Sequence, residues 1–286
     1  MRRIIRFMPA AAFALGAASG QVAAAGSPAG RMLVVCSPGS PGDTIQAQPT
    51  MDAFALEAAR AAGRPEGSLR AVYHESLESG LAALKSRDSA LAMLPVPLFL
   101  RYEKELALEP LLAAVPDTGP TETWSLVARR GAAASAAGMD GWEILGTIGY
   151  AESFVRRVAA GRWGPLPDGA RVGFTARPLS ALRRAASGER VAVVLDRSQT
   201  DALASLPFGK ELEAVGSSMP LPGGLLCSVG TGMPEAEKSA YVRALSQLQR
   251  TEQGRATLES LRMKMFAPLS PSDREALEAA RKAAQP

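Results

Sequence analysis

Residues 217–230 read SSMPLPGGLLCSVG: a serine pair, two prolines and a glycine pair run straight into a short apolar segment. The prolines exclude a helix interior and interior ladder positions, and the glycines permit unusual dihedrals. Neither a helix nor a strand continues through 218–224. Yet LEAVGSS before it and LLCSV after it read as strands, so the interruption separates two folded regions. That is the punctuation of a chain crossing back from one lobe to another.

The preceding sequence supplies the two lobes. MLVVC (32–36) is a buried strand, followed by the loop SPGSPGD (37–43). PTMDAFALEAARAAG (49–63) reads as a helix with Pro49 in its first turn and Gly63 at its C-terminal end. LRAVYH (69–74) is a second strand, and ESLESGLAALKS (75–86) is a helix with Leu77, Leu81 and Leu84 on one face. SALAML (89–94) is a third strand, stopped by Pro95 and Pro97 before an apolar loop at 95–100. This β-α-β-α-β alternation predicts a parallel sheet covered by helices.

EPLLAAV and TWSLVAR then read as strands around the turn PDTGP. A second α/β unit runs from TIGY (147–150) through a helix at ESFVRRVAAG and a strand at ARVGFT. It continues with a helix at PLSALRRAASG and a strand at RVAVVLD (190–196). After LLCSV the pattern is helical, the last helix opening at SPSD with Ser270 as cap and Asp273 at its third position. The expected organisation is a first lobe over 26–126, a second over 127–219, and a return to the first over 220–286. The crossings fall near 127 and 220, with a ligand cleft between the lobes.

Residues 1–25 have a basic start (Arg2, Arg3, Arg6), an apolar middle and small residues at Ala23 and Ala25, the layout of a secretory signal peptide cleaved before Gly26. No cysteine lies at that boundary, which argues against a lipid anchor. Removing the segment lowers Lys+Arg from 32 to 29 against 28 acidic residues, so the net charge falls from +4 to +1. A nucleic-acid partner then has no basic stripe to bind.

The only cysteines, Cys36 and Cys227, lie in apolar strands and read as unpaired. With one histidine, His74, there are too few ligands for a structural zinc, and no cofactor is expected. A Walker loop, a dinucleotide fingerprint and G-x-S-x-G are all missing from the sequence.

LAMLPVPLFLR, LEPLLAAVPDTGPTETWSLVARRG, ILGTIGY, PLSALRRAASGERVAVVLD and SSMPLPGGLLCSVG, in that order, carry a resemblance. Together they resemble the phosphate/phosphite/phosphonate-binding family of periplasmic solute-binding proteins, which feed ABC importers. The resemblance implies an α/β, two-lobed type II periplasmic-binding-protein fold in a soluble monomer. It further implies a periplasmic location, a small-molecule ligand and an ABC permease as partner. It places ligand contacts at Ser37 and Ser40, at Pro95 and Val96, and at Thr123 and Trp124. In the second lobe it places them at Tyr150, Glu152, Ser153, Arg177 and Asp196.

Exposed backbone N–H groups and helix dipoles at such positions favour an anion. The family's hydroxyl-rich run and its histidine are absent, however. AESFVRR offers only Ser153 beside the acidic Glu152, and Arg177 and Pro178 stand in the histidine's loop. A small oxyanion and a larger apolar solute, a lipid included, therefore both remain in play.

Several residues have a structural reading as good as the functional one. Asp196 suits a helix cap, Trp124 and Tyr150 suit a core, and Arg177 suits solvent. The arginine pairs 129–130, 156–157 and 183–184 read as solvated. An enzyme on the same scaffold has only His74, Glu152 and Asp196 to work with, and a sensor passing a bound state to a receptor is a third alternative.

Overall fold

The strand Arg31–Cys36 (β1) begins the first sheet of the computed structural model, which describes residues 30–40 and 42–285. The segment read as a signal peptide lies outside the described residues. α1 (Thr44–Ala61) starts five residues before Pro49, because Asp43 caps it by accepting from the Gln46 N–H. Pro49 therefore sits inside the helix rather than in its first turn. It is exposed, as is Ile45, whose carbonyl loses its helical partner because proline has no N–H. Gly63, at φ +65°, ends the helix in the left-handed conformation the sequence suggested.

β2 (Leu69–His74), α2 (Leu77–Leu84) and β3 (Ser89–Leu94) follow, and β1 pairs in parallel with both β2 and β3. The expected apolar loop at 95–100 is instead a helix, α3 (Val96–Tyr102). Proline is tolerated in a helix's first turn, so Pro97 starts this one rather than preventing it. β4 (Leu108–Pro116) completes this part of the sheet.

The chain crosses through β5 (Thr121–Glu122) into a second sheet made of β6 (Ser125–Arg129), β7 (Glu143–Gly146), β8 (Arg171–Phe174), β9 (Val191–Leu195) and β10 (Leu212–Ser217). Its order is β10-β6-β9-β7-β8. TIGY is the turn after β7, so the strand end expected at Tyr150 lies four residues earlier, at Gly146. Between the strands lie α4 (Glu152–Phe154), continued by a π-helical turn at Val155–Ala159, then α5 (Pro178–Ala186) and α6 (Arg197–Asp201).

The return is β11 (Leu221–Pro222), which pairs antiparallel with β5. The two crossings thus form one narrow ribbon, and within SSMPLPGG the residues Leu221 and Pro222 are its strand leading back to the first sheet. β12 (Leu225–Val229), α7 (Glu235–Leu245), α8 (Glu252–Ser260), β13 (Met263–Pro268) and α9 (Pro271–Ala284) finish the chain. The first sheet has the order β13-β4-β12-β3-β1-β2.

β13 falls where the sequence pattern read as helical. It is an edge strand paired only with β4, and it carries Lys264 and ends in Pro268, residues that mask its alternation. α9 has the Ser270–Asp273 capping box read from SPSD.

Two faces of the first sheet are packed differently. Phe54, Ala58, Leu91, Leu112, Tyr241 and Phe266 form one apolar cluster under α1, α7 and α8. On the other face a larger cluster runs from Val34 and Leu94 through Val96 and Phe99 to Trp124, Tyr150 and Phe154 of the second unit. Burial of apolar surface thus joins the two sheets as well as stabilising each one.

Candidate functional site

β1, β3 and β4 all end at one edge of the first sheet, where β12 and β13 begin. A cavity of about 760 Å3 lies along that edge, within the ~300–1,000 Å3 range of small-molecule sites. Val35, Met51, Met93, Leu94 and Met263 give it an apolar lining, and Ser37, Gln46, Thr50 and Tyr73 add neutral polar groups. Arg262 is its one charged lining residue. Every lining residue belongs to the first sheet, its helices or its connections, and none comes from 125–217.

Of the residues singled out in the sequence, Ser37, Ser40 and Pro95 line this cavity, and the hydroxyls of the two serines lie 2.7 Å apart. Val96 is fully buried in the core, so it presents nothing to a solute. The reason is α3, whose first turn points it into the apolar cluster. Thr123 is half-buried, and its N–H donates to the Glu122 carboxylate. Trp124 is buried edge-on against Phe154, with ring centroids 5.0 Å apart. Tyr150 is buried in the same cluster, and burial pushes its hydroxyl above the usual phenol range.

Glu152 is exposed and bound to Arg156 at 2.8 Å. Ser153 is exposed too and borders a different depression, shared with Arg101 and Arg281. Arg177 is exposed at the start of α5. Asp196 caps α6 through a complete capping box with Gln199. Burial raises its carboxyl above the usual range, against hydrogen bonds from the Gln199 and Ser198 N–H groups that lower it.

Across the cleft, the loop after β1 meets the turn after β7. A Cβ at Gly39 would lie 2.9 Å from the Thr147 Cβ and 3.4 Å from the Phe174 ring, so the lobes touch at this point. Thr147 did not stand out in the sequence because TIGY reads as a strand. Behind it, the ribbon places Glu122 at the head of α6, where it accepts from the Arg197 N–H at 2.8 Å. Glu122 is held above the usual carboxylate range, first by burial and also by the Asp196 charge.

Cys36 and Cys227 are both buried and free, and burial raises the Cys36 thiol to about 12. His74 meets the Ser79 hydroxyl at 3.1 Å through Nδ1, and burial lowers its pKa against the nearby Glu75. Among the described residues, no three histidine, cysteine or acidic side chains gather as a metal site, and no helix is long and apolar enough to cross a membrane. Of the arginine pairs, Arg129, Arg130, Arg157 and Arg183 are exposed as read, whereas Arg156 and Arg184 are half-buried and engaged. Arg156 donates to the carbonyls of Pro167 and Ala170, and Arg184 bridges Glu143 and Glu189.

Two sheets joined by a two-stranded ribbon, with their loops meeting across a cleft, define a two-lobed type II periplasmic-binding fold. Solved structures agree. A protein of Xanthomonas citri, XAC2383, bound to chloride superposes with a TM-score of 0.68 at 15% identity, over 90% of this chain and 98% of that one. A binding protein component of an ABC phosphonate transporter from Pseudomonas aeruginosa gives 0.60 at 11% identity, over 90% and 88%. PhnD1 from Prochlorococcus marinus in complex with methylphosphonate gives 0.55 at 11% identity, over 88% and 97%. No family model matches the sequence, and no curated protein matches it.

Proposed function

We propose that the protein is the solute-binding component of an ABC importer, working in the periplasm, and that its solute has a mainly apolar body. The fold, shared with transport binding proteins, and the signal-like segment at 1–25 support the first part. The observation that carries the second is the cavity at the edge of the first sheet, which is apolar along most of its length and holds one charged side chain. A small oxyanion calls for several converging donors in a confined space. The second-lobe candidates do not converge in this way. Glu152 is acidic and already paired, Ser153 borders another depression, and Asp196 is committed to a cap.

Thermal unfolding of residues 26–286 against two solute pools tests the reading. One pool holds phosphate, phosphite, phosphonates and sulfonates, and the other holds solubilised lipids and apolar metabolites. A ligand at ~100 times its Kd adds about 2.7 kcal/mol and raises the midpoint visibly. The expected shift comes from the apolar pool. A shift with oxyanions alone overturns the assignment of solute, and no shift with either pool overturns the binding function.

A further inference from the structure

The cavity floor is a row of residues from five strands of the first sheet and from the turn before the sixth. Tyr73 on β2, Val35 on β1, Met93 on β3, Ala114 on β4 and Met263 on β13 all line it, and Gly224 fills the place on the way into β12. Val35 pairs directly with both Tyr73 and Met93, so these three stand side by side. Adjacent strands lie ~4.8 Å apart, so six strands span about 24 Å. The cavity is therefore a trough much longer than a small anion requires. Gly224 matters because it leaves the middle of the row open. A Cβ there would lie 3.5 Å from the Ala114 Cβ, in ordinary contact, so a larger side chain has only the trough to enter.

The two ends of the row differ from its middle. At the β2 end, the Tyr73 hydroxyl is buried and has no hydrogen-bond partner. A hydroxyl closed to water is closed to a ligand oxygen as well, so Tyr73 presents only its ring to the trough. At the β13 end, Arg262 is exposed, and its side chain forms no ion pair with Asp117 or Glu259, which share an adjoining depression with it. Its backbone lies in the left-handed region at φ +54°, an uncommon place for a non-glycine residue.

We propose that this trough binds an extended aliphatic carboxylate, its head at Arg262 and its chain along the Met263–Val35 row. The inference deepens the importer reading above and rests on it. It places the ligand wholly on the first lobe, so the second lobe closes over the site without supplying its walls.

The test is calorimetric titration of residues 26–286 with hexadecanoate and hexadecanol. Hexadecanoate binds tighter. Arg262→Gln weakens the acid at least tenfold and leaves hexadecanol within twofold. Gly224→Leu and, from the opposite wall, Ala47→Phe each block the trough, and either one folded by circular dichroism suffices.

Acid binding that survives a folded blocking variant, or is indifferent to Arg262→Gln, overturns the assignment. If both probes fail while another apolar solute raises the unfolding midpoint, this inference falls and the importer reading stands. If no solute of any pool does so, both fall.

Discussion

Gly39 stands so close to Thr147 that a Cβ on the glycine would lie 2.9 Å from the threonine's own Cβ, and the two lobes meet here as well as through their shared apolar cluster. Gly39→Val adds bulk on the closing surface and strains a φ of +80° as well. Gly42→Val strains φ at +105° with nothing within 4 Å of the new Cβ, and so serves as a control for the backbone. Both variants lose about 1–2 kcal/mol by urea unfolding. Only Gly39→Val raises the radius of gyration in small-angle X-ray scattering. An unchanged radius in Gly39→Val would mean that the contact does not set the distance between lobes.

Arg156 and Arg157 are adjacent in sequence and unequal in structure. Arg156 is bonded to Glu152, Pro167 and Ala170, which ties the π-turn to the loop before β8, whereas Arg157 is exposed. Hydrogen bonds from a charged donor contribute ~1.5–3 kcal/mol each when their partners are left unsatisfied. Arg156→Ala is expected to cost about 2 kcal/mol in denaturant unfolding, and Arg157→Ala less than about 0.5 kcal/mol. Equal losses would refute this division of labour.

The thiols should be silent in the native protein. Burial raises Cys36 to about 12, and raises Cys227 further, with the Glu103 charge adding to it. The thiolate is the reactive form, so neither reacts with an aromatic disulfide reagent at pH 8 over minutes. In 6 M guanidinium (about twice the usual unfolding concentration) both should react. A single fast thiol in the native state would contradict the burial of both.

Buried strands and caps are legible in the local sequence, whereas proline effects, an edge strand and contacts between distant segments are not. SALAML is β3 residue for residue, and Ser270 and Asp273 form the capping box their spacing suggested. Pro49 and Pro97 sit differently from where the sequence suggests, because a proline's effect depends on its place in a turn, which in turn depends on the cap. β13 is hidden in the sequence because an edge strand with a lysine and a terminal proline has little alternation to show.

The trough was invisible for a different reason. Val35, Gly224 and Arg262 are separated by most of the chain and come together only through the strand order β13-β4-β12-β3-β1-β2. Residues at strand ends on one sheet face are the signal that would have pointed to them, and it is readable only once that order is known. GG at 223–224 reads as a turn, and its second glycine also lines the trough.

The ribbon makes stability depend on pH through Glu122. Burial raises its pKa above the reference value of 4.5, Asp196 adds to this, and the Arg197 and Thr123 N–H groups and the Arg197 charge oppose it. A carboxyl raised in the folded state binds its proton more tightly there than in the unfolded chain. Its contribution to stability is therefore full below the unfolded pKa and is lost as pH rises through the folded value. Glu75, Asp88 and Glu235 are lowered and act in the opposite sense. The comparison must therefore be with Glu122→Gln, in which only the one group is removed. Between about pH 4 and pH 6, the urea midpoint of the wild type should fall relative to that variant. Parallel curves would show that Glu122 titrates as it does in the unfolded chain.

Asp196 separates a structural from a ligand-binding role most cleanly. Its carboxylate accepts from the Gln199 N–H at 2.8 Å, and Gln199 returns a bond to the Asp196 N–H at 3.2 Å. Asp196→Ala removes the cap and costs about 1 kcal/mol, whereas Asp196→Ser keeps a capping oxygen and costs less than half of that. If capping is its whole role, both variants bind the solute identified by thermal unfolding with wild-type affinity. A tenfold loss in Asp196→Ser, whose cap is intact, would instead place the carboxylate against the solute. That outcome would move the ligand toward the second lobe and away from the trough at the edge of the first sheet.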